Sequence, residues 1–278
     1  MKSEWLTINI NRAEAARYLG FRGVNADPSM TELIEECIAE LEDACTPRSV
    51  WDTFPIIWTD ENKASAGKES LQQAENKQAV AWQSKPEVNN IQETDVRNVL
   101  RTDSKQAVTG QGMPHARTAM IAGMETGSRN LEKNLRGCSE AVLLATTIGP
   151  GCDLLVRRAQ VRSMALAAAL QACGAAMVEA YTNEVNRQII AEAEKRGLYA
   201  RPRFSPGYGD FALAHQKDFF RILPITRTIG VSLSDSLLMT PTKSVTALIG
   251  LSETKRPCII EGCETCDARS TCAYARET

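Results

Sequence analysis

Much that would identify an enzyme at sight is missing from these 278 residues. There are only two histidines, His115 and His215, and no Ser/His/Asp or Cys/His unit assembles at a recognisable spacing. Neither GxGxxG nor GxxxxGKS/T follows any predicted strand, which excludes the standard nucleotide cradles. The net charge is -2, which gives no general attraction to nucleic acid or to a membrane surface. No apolar run suits a signal peptide or approaches a membrane span, so the expected compartment is the cytoplasm, with no nucleic-acid and no membrane partner.

Cysteine, by contrast, is plentiful at nine. Cys37, Cys45, Cys138, Cys152 and Cys173 are scattered among apolar residues and read as buried thiols. Cys258, Cys263, Cys266 and Cys272 instead crowd together with the spacing C-x4-C-x2-C-x5-C. An odd total without an export signal argues against a disulfide framework. Four thiolates on a short glycine-containing loop can close round one soft metal or one iron-sulfur cluster. The spacing matches neither paired zinc knuckles nor the compact ferredoxin run, so cluster and zinc both stay open. Idle thiols, or a redox pair at Cys263 and Cys266, are the remaining readings.

The predicted architecture is α+β: a twisted antiparallel sheet with flanking helices and a small C-terminal cysteine-rich metal-binding loop. Asn11 caps a helix from Arg12 to Leu19. A second helix starts near Ser29, where Ser29 and Glu32 form a capping box, and its apolar face is Met30, Leu33, Ile34, Cys37, Ile38 and Leu41. Val50 to Thr59 reads as a strand. Residues 1–59 therefore open the main domain, 60–114 form a polar insertion poor in apolar anchors apart from Trp82, 115–252 complete the main domain, and 253–278 form the cysteine tail. Ser128 to Leu135 reads as a short helix and Ala141 to Ile148 as a buried strand. A long alanine-rich helical stretch then runs from Asp153 to Lys195, interrupted or slightly loosened around Gly174. Ala214 to Ile222 reads as a helix. Ile229 to Leu233 and Val245 to Leu251 read as strands, a hairpin-like pair.

Two turns are candidates for ligand contact. Gly149-Pro-Gly151, between strand and helix, has the physical arrangement of an anion site or of a plain structural turn. Arg203-Phe-Ser-Pro-Gly-Tyr-Gly209 offers a guanidinium fork at Arg203, a fixed φ at Pro206, a tight turn at Gly207 and Gly209, and an aromatic hydroxyl at Tyr208. It reads equally as a ligand loop or a helix-to-strand corner. His215 follows closely enough to line the same cleft or simply to cap and pack, and His115 reads as a solvated loop residue. Glu179 and Glu184 on the long helix are separated by about 140° of rotation, so they do not face one ligand together.

The stretches Arg203–Tyr208, Ile229–Leu233 and Met239-Thr-Pro-Thr-Lys-Ser-Val-Thr246 resemble the activation (reactivation) domain of vitamin B12-dependent methionine synthase. Residues 12–20, Pro47-Arg48 and 135–149 resemble separately encoded relatives of that domain. The resemblance implies an α+β domain that binds S-adenosylmethionine and supports reductive methylation of cob(II)alamin, with flavodoxin, ferredoxin or a similar donor supplying one electron. It implies that Arg203 meets the methionine carboxylate, that Pro206, Gly207 and Tyr208 hold the ligand, and that Glu184, or failing it Glu179, meets the amine. No corrinoid-binding Asp-x-His-x-x-Gly is present, so the cobalamin belongs to a partner, a corrinoid-binding methyltransferase or corrinoid protein. Where that enzyme has an aromatic residue past the Ser-Val pair, this chain has Leu248, Ile249 and Gly250. The insertion and the cysteine tail are additions. The expected function is reactivation of a separate corrinoid protein, with an iron-sulfur cluster in the tail relaying the electron. The alternative is a non-catalytic S-adenosylmethionine-binding or docking module with a structural zinc.

Overall fold

The computed structural model describes residues 8–21, 28–60 and 117–255, and the remainder, including His115, Trp82 and Cys258 to Cys272, lies outside the described residues. The chain divides into two units, Met1–Ile57 with Ala119–Thr278, and Trp58–Thr118. Of the second, only Trp58–Asp60 and Arg117–Thr118 are described, with the Thr59 hydroxyl donating to the Thr118 carbonyl at 3.2 Å.

Two helices and a long strand open the chain: α1 (Arg12–Tyr18), α2 (Pro28–Ala44) and β1 (Arg48–Asp60). There follow β2 (Arg117–Ile121), β3 (Met124–Glu125), α3 (Arg129–Leu135) and β4 (Glu140–Thr147). Next come α4 (Gly151–Arg162), α5 (Met164–Lys195) and β5 (Tyr199–Ala200). A 3-10 turn (Leu213–His215) leads into α6 (Gln216–Ile222) and α7 (Ile225–Ile229), and then β6 (Ser232–Leu233), β7 (Met239–Thr240) and β8 (Ser244–Ser252). The main sheet has the order β3-β2-β1-β4-β8-β5, and β4 pairs antiparallel with both β1 and β8. The expected α+β class, a twisted antiparallel sheet with flanking helices, is what the structure shows.

Strand alternation sorts the two faces of the sheet. Val142 and Leu144 of β4 and Ala247, Ile249 and Leu251 of β8 pack on Val185, Ile189 and Ala193 of α5. Gly250, on the other face, lies under α3 and the residues after it: an added Cβ would meet Leu135 Cδ2 at 2.7 Å and Cys138 Sγ at 2.8 Å. A second cluster joins Ala15 of α1, Ile34, Cys37, Ile38 and Leu41 of α2, and Cys152, Val156 and Ala159 of α4 to Leu170, Cys173 and Met177 of α5. Cys37, Cys45, Cys138, Cys152 and Cys173 are all buried and none of them forms a disulfide, as expected. Burial pushes the Cys45 thiol up to about 12 and that of Cys152 up to about 11, so neither is a thiolate near neutrality.

Several local expectations are corrected. The long helix breaks at Ser163, not Gly174: Ser163 is extended (φ -157°, ψ 119°) and its hydroxyl accepts from the Leu166 amide, capping α5. Gly174 lies within continuous α5, where a Cβ would stand 2.4 Å from Cys152 Sγ, so the glycine permits the α4–α5 approach. Helix α2 starts at Pro28, which places Ser29 inside the first turn rather than at a cap. Ile229 ends a helix instead of starting a strand, with Gly230 as its left-handed stop (φ 72°). The late hairpin is β6 with β7, while Ser244–Ser252 joins the main sheet. Among the described residues one helix, α5, is long and apolar enough to cross a membrane by length and composition, against expectation, and half of its apolar window is buried inside the protein.

Candidate functional site

The Arg203 loop is built off the sheet edge. Phe204 forms a two-way backbone bridge with Leu248 of β8, both hydrogen bonds 2.8 Å. This sets the direction of the neighbouring Arg203 toward α5. Its guanidinium donates to Glu179, and to Asn183 Oδ1 at 2.7 Å. Glu179 and Asn183 stand one helical turn apart, so a single face of α5 receives both arms of the fork. The Arg203 side chain is 18% exposed and that of Glu179 39%, which places the pair at the rim of the protein surface rather than in its core.

Beyond Phe204 the loop turns on glycine. Pro206 is buried, Gly207 has φ 93° and donates its amide to the Phe211 carbonyl at 2.7 Å, and Gly209 has φ 53°. Tyr208 is thereby carried outward and is 71% exposed, its ring edge-on to Phe204 at 6.4 Å. Asp210 anchors the loop to α3, accepting from the Ser128 hydroxyl at 2.5 Å and from the Arg129 and Asn130 amides at 2.9 and 3.2 Å. Desolvation works to raise the Asp210 carboxyl, but these donors outweigh it and hold the group below its usual value.

The structure thus brings Arg203, Pro206, Gly207 and Tyr208 into one loop and sets Glu179 against Arg203. Glu184 is engaged elsewhere, accepting from Arg187 Nε at 2.8 Å on the same helix. His215 stacks on Phe211 at 4.6 Å and its Nδ1 lies 3.0 Å from Asp218 Oδ2, so it supports the loop from behind. Sequence reading missed Asn183 and Asp210. The first was detectable as the residue one turn beyond Glu179; the second, a contact across 80 residues, left no local signal.

The Gly149–Gly151 turn is a packing corner. A Cβ at Gly149 would meet Thr46 Oγ1 at 2.6 Å, and one at Gly151 the Ala44 carbonyl oxygen at 2.1 Å. The Gly149 amide donates to Thr147 Oγ1 at 3.0 Å and so is already engaged within the protein. Lys243 lines a separate groove of about 390 Å³ with Tyr18, Leu19, Gln171 and alanines of α5. Burial holds the Lys243 ammonium below its ordinary value, against the opposing pull of Cys152 and Asp153.

Residues 155–260 match the family model described as vitamin B12 dependent methionine synthase, activation domain. The match is partial. It takes in α5, the Arg203 loop and β8, and leaves α1, α2, β1 and most of the cysteine tail outside. A solved structure of the MetH reactivation domain bound to AdoHcy is similar at 11% identity and a TM-score of 0.47, over 88% of this chain and 76% of that one. No curated protein matches the chain. Among the described residues no group of three or more His, Cys, Asp or Glu side chains forms a metal site.

Proposed function

We propose that the chain binds S-adenosylmethionine at the Arg203 loop and supports reductive methylation of a cob(II)alamin carried by a separate corrinoid protein. One observation carries the reading: Arg203, within the family-matched segment, is aimed along α5 with a carboxylate already on its fork. Glu179 shows that the position suits a carboxylate, the group an amino-acid ligand would present. On binding, the ligand carboxylate takes the Glu179 place on Arg203 and the displaced Glu179 meets the ligand ammonium, so both charges stay paired. Asn183 keeps the guanidinium plane fixed during the exchange. Pro206 and Gly207 hold the loop backbone, and the exposed Tyr208 ring covers the sulfonium side.

When bound, S-adenosylmethionine supplies an activated methyl group, so this chain needs no general acid or base, only alignment. The balance is one electron plus one methyl cation equivalent delivered to the partner's cobalt, with S-adenosylhomocysteine leaving. The electron donor would be a flavodoxin- or ferredoxin-type protein, and Cys258, Cys263, Cys266 and Cys272 would hold an iron-sulfur cluster, which would supply one-electron relay chemistry. What supports the cluster is the spacing of four thiols in one short segment.

The test is anaerobic: purified chain, a cob(II)alamin protein, S-adenosylmethionine and a low-potential reductant. Conversion to the methylcobalamin spectrum supports the reading. Ligand binding without conversion leaves the non-catalytic docking module. Iron and sulfide assays decide the tail, and stoichiometric zinc with no iron removes the relay.

A further inference from the structure

Two neighbouring helices carry opposite charge on their outer faces. Helix α2 holds six acidic residues and no basic one, and Glu32, Glu36, Glu40 and Asp43 share one exposed stripe opposite its buried Ile34, Cys37, Ile38 and Leu41. Helix α4 turns Arg157, Arg158 and Arg162 outward around two bare apolar residues, Leu154 at 48% and Val161 at 89% exposure, with Met164 beside them at 69%. None of these four carboxylates or three guanidinium groups makes an ion pair among the described residues, and the one α4 carboxylate, Asp153, is occupied by the Thr242 amide at 2.9 Å. The helices meet directly, Gly151 of α4 lying against Ala44 of α2.

We propose that this surface joins two copies of the chain about a two-fold axis. Leu154, Val161 and Met164 of each copy meet near the axis, and the α4 arginines of each copy reach the acidic α2 stripe of the other. Exposed apolar side chains ringed by arginine are the composition of an interface centre, whereas a merely solvated face has no use for Val161. The adjacent α2 stripe selects the occupant. An anionic membrane, a nucleic acid or an acidic protein would satisfy α4 while pressing like charge against α2. A copy of the same surface turned over satisfies both stripes, because side-by-side patches of opposite sign are self-complementary under a two-fold rotation.

Sedimentation of the full chain tests this, with far-UV circular dichroism confirming the fold of each variant. The expected wild-type result is the mass of two chains at about 0.05 M salt, shifting toward one chain at about 0.5 M. Arg157→Glu/Arg158→Glu/Arg162→Glu and, separately, Glu32→Lys/Glu36→Lys/Glu40→Lys/Asp43→Lys are each expected to be monomeric. Their equimolar mixture is expected to recover the dimer, since each then supplies the sign the other lacks. The milder Val161→Asp is expected to weaken association at least tenfold. A monomeric wild type at every salt overturns the proposal, as does a mixture that stays monomeric or a Val161→Asp variant that associates normally. Arginine-dependent binding to anionic vesicles by a monomeric chain overturns it in favour of a membrane surface.

Discussion

The Gly149–Gly151 turn and the Pro206–Gly209 loop use the same residue types, glycine around proline at the end of an element, yet they serve opposite ends. At the first turn the space a side chain would need is filled by backbone: the Ala44 carbonyl is 2.1 Å from the Gly151 Cβ position. At the second the neighbours are side chains: Gly207 would meet only the tip of Leu213, at 3.3 Å, and Gly209 the Asn130 Nδ2 at 2.6 Å, while the loop turns an aromatic ring toward solvent beside a charged fork. Glycine spacing alone does not separate an exposed loop from a packing corner; whether backbone or a movable side chain fills the space of the missing Cβ does.

The sharpest way to break that comparison is a pair of alanine substitutions. Gly151→Ala forces a methyl into a backbone carbonyl that has nowhere to go, with an expected loss of at least about 3 kcal/mol in urea unfolding. Gly207→Ala pays only the left-handed φ, about 1 kcal/mol, since the Leu213 side chain can give way. Equal losses at the two sites would remove the distinction.

Next in size are effects on ligand. Arg203→Ala is expected to lower S-adenosylmethionine affinity by about 30- to 100-fold by calorimetry, the scale of a lost charge-assisted fork. Its effect on stability stays below about 1 kcal/mol, because the Glu179 it leaves behind is partly solvated. Glu179→Gln is expected to weaken binding about tenfold. Large destabilisation with unchanged binding in either variant would make the pair a structural clamp.

Asp210 tests how the loop is held in place. Its native carboxyl is held below the unfolded value, so its contribution to stability is complete above the ordinary carboxylate range and fades as pH falls through the native value. Asp210→Asn is expected to cost about 0.5–1 kcal/mol at pH 7, the low end for a helix cap because the group is exposed. The variant should also lose part of the wild-type decline in stability below about pH 4. An unchanged acid limb would mean that Asp210 does not tie the loop to α3.

Where chemistry is local, it was legible in the residues. Asn11 accepts from the Glu14 amide as its position predicts, the apolar run at 141–147 is a central strand, and of the predicted α2 apolar face Ile34, Cys37, Ile38 and Leu41 are buried while Met30 and Leu33 are half-buried. What escaped were features set by distant contacts. Alanine-rich sequence looks continuous through Ser163, where the chain in fact breaks and caps α5, while Gly174 stays helical under the close approach of Cys152 from α4. Gly230 reads as part of a strand over 229–233, whereas it ends a helix, and the strand that follows is only the two-residue Ser232–Leu233 paired with Met239–Thr240. The Arg203 site was half legible. Its loop residues are consecutive, whereas the choice between two helix glutamates depends on the rotation of α5 about its axis.

That rotation yields the smallest and most discriminating effect. Glu179 and Glu184 differ by about 140° around the helix, and the structure gives each its own arginine, Arg203 and Arg187. The Glu184–Arg187 pair is a local i,i+3 contact with Arg187 68% exposed, a kind worth about 0.2–0.5 kcal/mol. Glu184→Gln is therefore expected to change stability by no more than about 0.5 kcal/mol and S-adenosylmethionine affinity by less than about twofold, on a scale where tenfold is about 1.4 kcal/mol. Calorimetry of this variant beside Glu179→Gln reads the helix face directly. If Glu184→Gln loses binding and Glu179→Gln keeps it, the ligand amine lies on the other side of α5, and the carboxylate on Arg203 is an internal stopper rather than the group that changes partners.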